Sequence, residues 1–158
     1  MHVYETTHPV AHSADEMFAL VARVEDYPKF LPLCEELKVK HREPRDGKEV
    51  LIATMTVGYG MIHESFTTGV HLDPVARTIL VEYLDGPFTF LENRWHFSPR
   101  GEAACEIDFY IAYGFRSRLF ERLVGGLFAK AVERYASAFE ARADVIYRRS
   151  APALASQQ

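Results

Sequence analysis

The stretch Leu91-Glu92-Asn93-Arg94-Trp95-His96-Phe97 decides the fold of this chain of 158 residues. Its large apolar residues, Leu91, Trp95 and Phe97, stand at alternate positions, and charged or ionisable residues stand between them. A period of two residues is typical of a β-strand that is buried on one face only. A sheet built from such strands needs an apolar cover on that face.

The same alternation extends on both sides of this stretch, from Glu36 to Ala112. Its apolar positions are Leu37 and Val39; Leu51, Ala53, Met55 and Val57; Ile62, Phe66, Val70 and Leu72; Ile79, Val81 and Tyr83; and Cys105, Ile107, Phe109 and Ile111. Short turns rich in Gly, Pro and Asp separate the runs, so neighbouring strands should pair antiparallel. We therefore predict a meander of about six strands, preceded by another strand over Val3 to Pro9.

The remaining segments carry helical signals. Ser13 and Glu16 form a capping box ahead of one short helix, and a second short helix or turn should follow Pro28, around residues 29–31. From about Ser117 to Arg148 apolar residues recur every three or four positions, which predicts one long helix. The tail over residues 150–158 is predicted to be disordered.

The order of these elements predicts an α+β fold in a single domain over residues 1–149. A twisted antiparallel sheet must have its apolar face covered, and only the last helix is long enough to cover it. We predict that this helix lies diagonally in the concave face of a curved sheet of about seven strands, with the two short helices closing one end. In this helix-grip arrangement, free volume between the curved sheet and the single helix makes a cavity an expected feature.

The composition argues against several functional classes. The net charge of −4 provides no basic field for nucleic acid, so no DNA partner is expected. Cys34 and Cys105 stand apart, and the N-terminus has no signal-peptide pattern, so we expect a cytoplasmic protein whose membrane contact would be peripheral. None of the seven histidines belongs to an HxxxH pair on one helix, and the chain has no GxSxG motif and no phosphate-binding loop. We predict no metal, no cofactor and no catalytic residue.

The predicted cavity defines the candidate ligand-binding residues through the direction in which they face. The candidates are Tyr27, Phe30, Met55, Phe66, Leu91, Asn93, Trp95, Phe109, Leu123, Leu127 and Ala131. Asn93 shares the face of Leu91 and Trp95, so its amide either bonds to neighbouring backbone or water, or is available to a ligand carbonyl. Tyr27 and Phe30 lie in a loop stiffened by prolines, where they either seal the core or rim an opening.

Two further segments each allow two interpretations. Gly125-Gly126, inside the predicted long helix, indicates either a tight crossing over a strand or a kink that lets residues 120–127 act as a gate. A basic hairpin on the acidic chain is either a solvated edge or a contact for anionic lipid or ribosomal RNA. The basic hairpin consists of Lys38, Lys40, Arg42, Arg45 and Lys48.

The first turns of the predicted long helix place arginines beside large apolar residues. The residues are Leu119, Phe120 and Leu123 with Arg116, Arg118 and Arg122. This pattern occurs in helices that lie on membrane surfaces, and it also occurs at the start of ordinary amphipathic helices.

Three blocks of sequence resemble the coenzyme-Q-binding START-like family of the polyketide cyclase and lipid transport superfamily, which also includes the bacterial ribosome-association toxins. The blocks are Val24-Glu25-Asp26-Tyr27-Pro28-Lys29-Phe30-Leu31-Pro32-Leu33-Cys34, then Gly86-Pro87-Phe88 with Leu91 to Phe97, and Ala138-Phe139-Glu140-Ala141-Arg142-Ala143. The resemblance extends from Val3 to about Tyr147. It implies a helix-grip fold, a hydrophobic tunnel and no catalytic residues.

The resemblance implies two roles, ubiquinone binding in respiration or interference with the joining of ribosomal subunits. We expect ubiquinone or a similar prenylated lipid as the bound ligand of a carrier or chaperone that acts at the periphery of the inner membrane. The alternative is a toxin-like inhibitor that binds the ribosome. A cyclase-type enzyme would require acid–base groups that face the cavity. Only Glu64 and His96 are candidates; a β-bulge could turn Glu64 outward, and His96 alternates with Trp95 and should point outward.

Overall fold

The computed structural model describes residues 1–147, which form seven strands, three α-helices and one 3₁₀ helix. The strands are β1 His2–Val10, β2 Cys34–Arg45, β3 Lys48–Tyr59, β4 Ile62–Asp73, β5 Thr78–Asp85, β6 Phe88–Pro99 and β7 Cys105–Phe115. The helices are α1 Ala14–Ala22, the 3₁₀ helix η1 Val24–Lys29, α2 Arg118–Glu133 and α3 Tyr135–Tyr147. Arg148 and the tail predicted over residues 150–158 lie outside the described residues.

The seven strands form one antiparallel sheet in the order β1-β7-β6-β5-β4-β3-β2. Strands β2 to β7 are a meander, because each pairs with its neighbour in the chain, and β1 pairs with β7 from His2 to Val10. Helices α2 and α3 follow the last strand and cover the concave face. The predicted helix-grip fold with about seven strands is thereby confirmed.

The N-terminal helices begin and end on local signals. The Ser13 hydroxyl accepts the N–H of Glu16 at 3.0 Å, and the Glu16 carboxylate accepts the N–H of Ser13 at 3.1 Å, which completes the predicted capping box. The second short helix, η1, begins earlier than predicted and includes Pro28. Pro28 is tolerated there because the N–H groups of the neighbouring Asp26 and Phe30 supply the hydrogen bonds of the turn.

The prediction of one uninterrupted C-terminal helix is wrong, because Arg134 separates α2 from α3. The N–H of Arg134 donates to the carbonyl of Ala131 at 3.0 Å, which tightens the turn to a 3₁₀ pattern. Gly125 and Gly126 lie within continuous α-helix, so the interruption is not at the glycines.

The alternative of a tight crossing at the glycines is also wrong. A β-carbon on Gly125 would lie 3.4 Å from Cγ of Glu121, which is ordinary contact, and one on Gly126 would meet no atom within 4 Å. The two glycines are therefore not required by close packing.

The core between sheet and helices is rich in aromatic rings. Trp95 packs edge-on against Phe109, with ring centroids 4.6 Å apart, and against Phe139 on α3, 5.2 Å away. Tyr27 and Phe30 pack edge-on against the same Phe139 ring, at 5.2 and 5.1 Å. Burial of these large rings supplies much of the hydrophobic stabilisation that holds α3 and the η1 loop on the sheet.

Candidate functional site

A cavity of about 80 Å³ lies between the concave face of the sheet and the helices. We call it the inner cavity. Its lining comprises Val24, Tyr27, Leu31, Leu37, Ala53, Met55, Phe66, Thr68, Val70, Val81, Leu91, Asn93, Trp95, Ile111, Phe128, Tyr135 and Phe139. Most of these side chains are apolar, so the cavity suits a hydrophobic molecule.

Six of the candidate ligand-binding residues line this cavity: Tyr27, Met55, Phe66, Leu91, Asn93 and Trp95. The other five lie elsewhere, and their places differ. Phe109 and Ala131 are buried in the core but line no cavity on the concave side, and Phe30 packs on Phe139 beneath the guanidinium of Arg142. Leu127 lines a second cavity, described below, and Leu123 is 59% exposed.

Sequence reasoning did not select Tyr135 or Thr68, the other polar side chains of the inner cavity. Tyr135 belongs to the apolar stripe of the C-terminal helices, four residues beyond Ala131. A hydroxyl-bearing residue in an apolar stripe was the available signal for Tyr135. Thr68 gave a weaker signal, because Thr is common in strands on either face.

The amide of Asn93 has a protein partner at each end. Its Nδ2 donates to the backbone carbonyl of Tyr110 at 2.9 Å, and its Oδ1 accepts the indole Nε1–H of Trp95 at 2.7 Å. The structure therefore matches the interpretation in which neighbouring groups satisfy the amide. These bonds also hold the Trp95 ring against the cavity wall.

The hydroxyls of Tyr135 and Thr68 differ from the hydroxyl of Tyr27 and the amide of Asn93, because neither has a hydrogen-bond partner within residues 1–147. The Tyr27 hydroxyl donates to the carbonyl of Val21, whereas the Tyr135 hydroxyl has no hydrogen-bond partner within residues 1–147. Burial raises the pKa of Tyr135 above its ordinary value, with smaller effects from Cys34 and Tyr113. Tyr135 is therefore a protonated donor at neutral pH, placed where a ligand acceptor could reach it.

A second cavity, of about 40 Å³, lies between the β3–β4 turn and α2, and we call it the outer cavity. Its lining includes Tyr59 and Ile62 from the turn and Phe120 and Val124 from α2. The rings of Phe66 and Phe128 line both cavities and thus stand between them. Both rings also pack around Phe88, at centroid distances of 5.3 and 5.5 Å.

The two acid–base candidates have different environments. Glu64 lines the outer cavity, so it faces inward and no bulge turns it away. His96 is half-exposed on the other face of the sheet, with Nδ1 3.6 Å from a carboxylate oxygen of Asp108. Within residues 1–147, no three His, Cys, Asp or Glu side chains are grouped closely enough to hold a metal ion. None of the helices in that range is long and apolar enough to cross a membrane.

The basic hairpin is largely neutralised by carboxylates. Its ion pairs are Lys38–Glu36, Arg42–Glu25, Arg42–Glu49, Arg45–Glu43 and Lys48–Asp73, with N···O distances from 2.8 to 3.8 Å. Lys40 is the one member without such a partner among the described residues. The hairpin therefore fits the interpretation of a solvated edge better than that of an anion-binding surface.

Curated relatives of this chain include ribosome association toxins and coenzyme Q-binding proteins. The chain is 33% identical over 138 residues to the ribosome association toxin RatA of Escherichia coli K12, covering 87% of this chain and 84% of the relative. It is 30% identical over 157 residues to a mitochondrial coenzyme Q-binding protein, homolog B, of Xenopus laevis, covering 97% of this chain and 62% of the relative.

Solved structures share the fold over nearly the whole chain. The solution structure of an 18 kDa protein from Caulobacter crescentus is 32% identical, with a TM-score of 0.75 over 93% of this chain and 99% of that one. A START superfamily protein from Mycobacterium smegmatis is 22% identical, with a TM-score of 0.76 over 92% of this chain and 99% of that one. The Zhui aromatase/cyclase of a Streptomyces species is 19% identical, with a TM-score of 0.71 over 90% and 93% of the two chains, and shows the fold alone.

The model of the polyketide cyclase/dehydrase and lipid transport family matches residues 10–140, which include every strand of the meander and most of the C-terminal helices. The cavity under the helices is the feature that this arrangement creates. On the matching residues, the shared architecture and the relatives together, the chain belongs to the polyketide cyclase/dehydrase and lipid transport family and has its START-like helix-grip fold.

Proposed function

We propose that this protein binds ubiquinone or a related prenylated lipid in the inner cavity and serves as a carrier or chaperone in respiratory electron transport. The observation that supports the proposal is that two hydroxyls, those of Tyr135 and Thr68, have no hydrogen-bond partner within residues 1–147 and line a mostly apolar cavity. A quinone headgroup has an apolar ring and carbonyl acceptors, so hydroxyl donors among mostly apolar walls are complementary to it. The coenzyme Q-binding relative from Xenopus laevis supports the same ligand class.

The size of the cavities implies that the ligand needs side-chain movement. A typical small-molecule pocket measures roughly 300–1,000 Å³, and the inner cavity measures about 80 Å³. Rotation of Phe66 and Phe128 would join the inner and outer cavities into one tunnel. In this arrangement the headgroup lies beside Tyr135 and the isoprenoid tail runs outward towards α2.

Apolar contact would supply most of the affinity. Burial contributes about 25 cal/mol per Å² of apolar surface, so a few isoprene units suffice for micromolar binding. We propose binding without catalysis, because of the two acid–base candidates only Glu64 lines either the inner or the outer cavity, and it lies in the outer cavity, away from Tyr135.

Mass spectrometry of organic extracts from the purified protein tests the proposal directly, with a co-purified quinone as the expected result. Binding can also be followed without a label, because Trp95 is the single tryptophan and lines the inner cavity. A short-chain ubiquinone should quench its fluorescence saturably. Extracts without quinone, together with no saturable quenching, would reject the proposal.

A cavity-filling variant with a matched control makes this test specific. Val81→Phe adds a ring inside the inner cavity, whereas Leu80→Phe adds the same ring on the other face of the same strand. We expect Val81→Phe to abolish quenching and Leu80→Phe to preserve it. Tyr135→Phe should weaken binding by about 0.5–1.5 kcal/mol, because it removes one hydrogen bond and little volume.

A second candidate function rests on the identity of 33% to the ribosome association toxin of Escherichia coli K12. Under this alternative the protein binds a ribosomal subunit and blocks subunit joining. Sedimentation of the purified protein with separated subunits in a sucrose gradient tests it. Stoichiometric co-sedimentation of the wild type would support the ribosomal role. If the Val81→Phe variant co-sediments equally, the inner cavity does not mediate this binding.

A further inference from the structure

The positive charges of the C-terminal helices lack the carboxylate partners that positive charges have elsewhere in the chain. In residues 1–115, each Lys and Arg except Lys40 has a carboxylate oxygen within 4.0 Å. Residues 116–147 contain six Lys and Arg residues, and none of them has a carboxylate oxygen within that distance among the described residues. These six are Arg116, Arg118, Arg122, Lys130, Arg134 and Arg142.

The carboxylates of the same helices are engaged by histidines of the N-terminal segment. The pairs are His2 with Glu121, His8 with Glu140 and His12 with Asp144. Glu133 is the fourth carboxylate of these helices and has no ion pair within residues 1–147. Six cations against four carboxylates make the segment 116–147 basic on a chain whose net charge is −4, so this surface favours an anionic partner.

The apolar residues beside these cations indicate what kind of anionic partner fits. Leu119 and Leu123 on α2 are 67% and 59% exposed, and they alternate along the helix with the exposed Arg118 and Arg122. Both pairs are spaced by four residues, so each forms a stripe on one side of the helix. Adjacent apolar and basic stripes are characteristic of helices that lie in a lipid–water interface.

The β3–β4 turn presents apolar residues near the same end of the fold. Met61 is 96% exposed and Tyr59 is 58% exposed, and Tyr59 lines the outer cavity together with Phe120 of α2. Large apolar side chains that are exposed together at one site are uncommon on protein surfaces and often mark an interaction site. We name Tyr59, Met61, Leu119 and Leu123, with Arg118 and Arg122, the docking face.

We propose that the docking face binds the surface of an anionic phospholipid bilayer. The apolar side chains insert among the lipid chains, and the two arginines contact the anionic headgroups. Two carboxylates on the turn side oppose this attraction. Glu35 is bonded to His63 at 2.6 Å, and Glu64 lies within the outer cavity. The electrostatic attraction therefore acts through α2, and the turn contributes apolar contact.

Docking in this orientation places the outer cavity against the bilayer, because Tyr59 and α2 supply both the cavity wall and the docking face. A lipid could then pass between membrane and cavity without crossing water. Binding of the docking face to a bilayer does not depend on which ligand the inner cavity holds.

Co-sedimentation with vesicles that contain no quinone tests the inference separately from the proposed ligand. Wild-type protein should bind vesicles of phosphatidylcholine mixed with phosphatidylglycerol, bind pure phosphatidylcholine much less, and lose binding as salt is added. Two double variants should each weaken partitioning of the protein onto the vesicles about tenfold or more. They are Leu119→Gln with Leu123→Gln, and Arg118→Glu with Arg122→Glu. Glutamine and glutamate retain helix propensity, and all four positions are exposed, so folding should persist.

The control variant is Lys40→Glu with Val75→Gln. Lys40 also lacks an ion pair among the described residues, and Val75 is 87% exposed in the β4–β5 turn, away from the docking face. It should bind vesicles like the wild type. Equal loss in the control, unchanged binding in both α2 variants, or no binding by the wild type would overturn the proposal. Two other results would also overturn it, because each would show a different occupant of the docking face. One is a dimer that dissociates in the double variant Leu119→Gln with Leu123→Gln, and the other is binding to ribosomal RNA in place of vesicles.

Discussion

The amide oxygen of Asn93 accepts a hydrogen bond from the indole Nε1–H of Trp95 at 2.7 Å, on the wall of the inner cavity. The two residues lie two positions apart on β6, so both face the helices. The bond orients the tryptophan that reports on the cavity. The Nδ2 group of Asn93 already donates to the carbonyl of Tyr110, so a ligand carbonyl would have to share that donor group.

Asn93→Leu should lower the free energy of unfolding by about 1–3 kcal/mol, because the buried Trp95 N–H and the Tyr110 carbonyl each lose a partner. Urea denaturation measures the loss. The same substitution should cost less in a Trp95→Phe background, where no indole N–H remains to be satisfied. Reduced quinone affinity with unchanged stability would show instead that Asn93 serves the ligand.

Replacement of Gly125 and Gly126 by alanine should stabilise the protein by up to about 2 kcal/mol in total, because both sites are inside α2 and have room for a methyl group. Chemical denaturation measures the gain. Stopped-flow release of the ligand then tests the hinge. Slower release accompanied by higher stability would support bending at the glycines, unchanged release would reject it, and lower stability would contradict the observed space around both sites.

Stability should decline at alkaline pH because of groups buried in the protonated state. Burial is the main cause that raises the pKa of Cys34 to about 12, and it also raises the pKa of Tyr135. Groups whose pKa is higher in the folded state contribute stability that is fully present below their unfolded pKa, near 9 for the thiol. That contribution is lost as the pH rises towards the folded value.

Urea unfolding at a series of pH values from about 8 to 11 checks this prediction. The free energy of unfolding should fall less steeply in Cys34→Ala with Tyr135→Phe than in the wild type. Cys105 is a useful internal reference, because burial raises its pKa to about 11 and the double variant retains it. Parallel curves for the two proteins would contradict the assignment to Cys34 and Tyr135.

Phe128→Leu should accelerate ligand exchange, because Phe128 stands between the inner and outer cavities and leucine leaves a wider passage. The quinone-loaded protein is mixed with an excess of lipid vesicles that contain no quinone. The recovery of Trp95 fluorescence then measures the rate at which the ligand is released. Phe97→Leu is the matched control, since Phe97 is fully buried and lines neither cavity. Both changes should reduce stability by about 1–2 kcal/mol. Equal rates in the two variants would show that Phe128 does not limit passage.

The fold could be predicted because its signals are local. The alternation over Leu91–Phe97 and its neighbours defines the strand faces, and the capping box at Ser13 begins α1 as expected. Short turns leave antiparallel pairing as the simple solution, so the meander follows from the chain order. The interruption at Arg134 could not be predicted, because a single tightened turn leaves the three- and four-residue spacing of the apolar stripe nearly unchanged.

The candidate site was predicted only in part, because a facing direction does not distinguish a packed residue from one that borders free space. Leu91 and Phe109 both occupy apolar-face positions, and Leu91 borders the inner cavity while Phe109 is enclosed by rings. Which of them borders a void depends on how β6, β7 and α3 fit together. That fit is a property of residues far apart in the chain.

The sequence by itself determined the alternation of the strands, the helix-grip layout and the apolar face, since these depend on residue type and local period. Only the tertiary structure decided which hydroxyl donors of the cavity are unpartnered and which charges are unpaired. Tyr135 meets the cavity through the packing of α3, and Glu140 is engaged by His8, 132 residues away in sequence. Hydrogen bonds and ion pairs act over a few ångströms in space, so their partners are known only once the chain has brought them together.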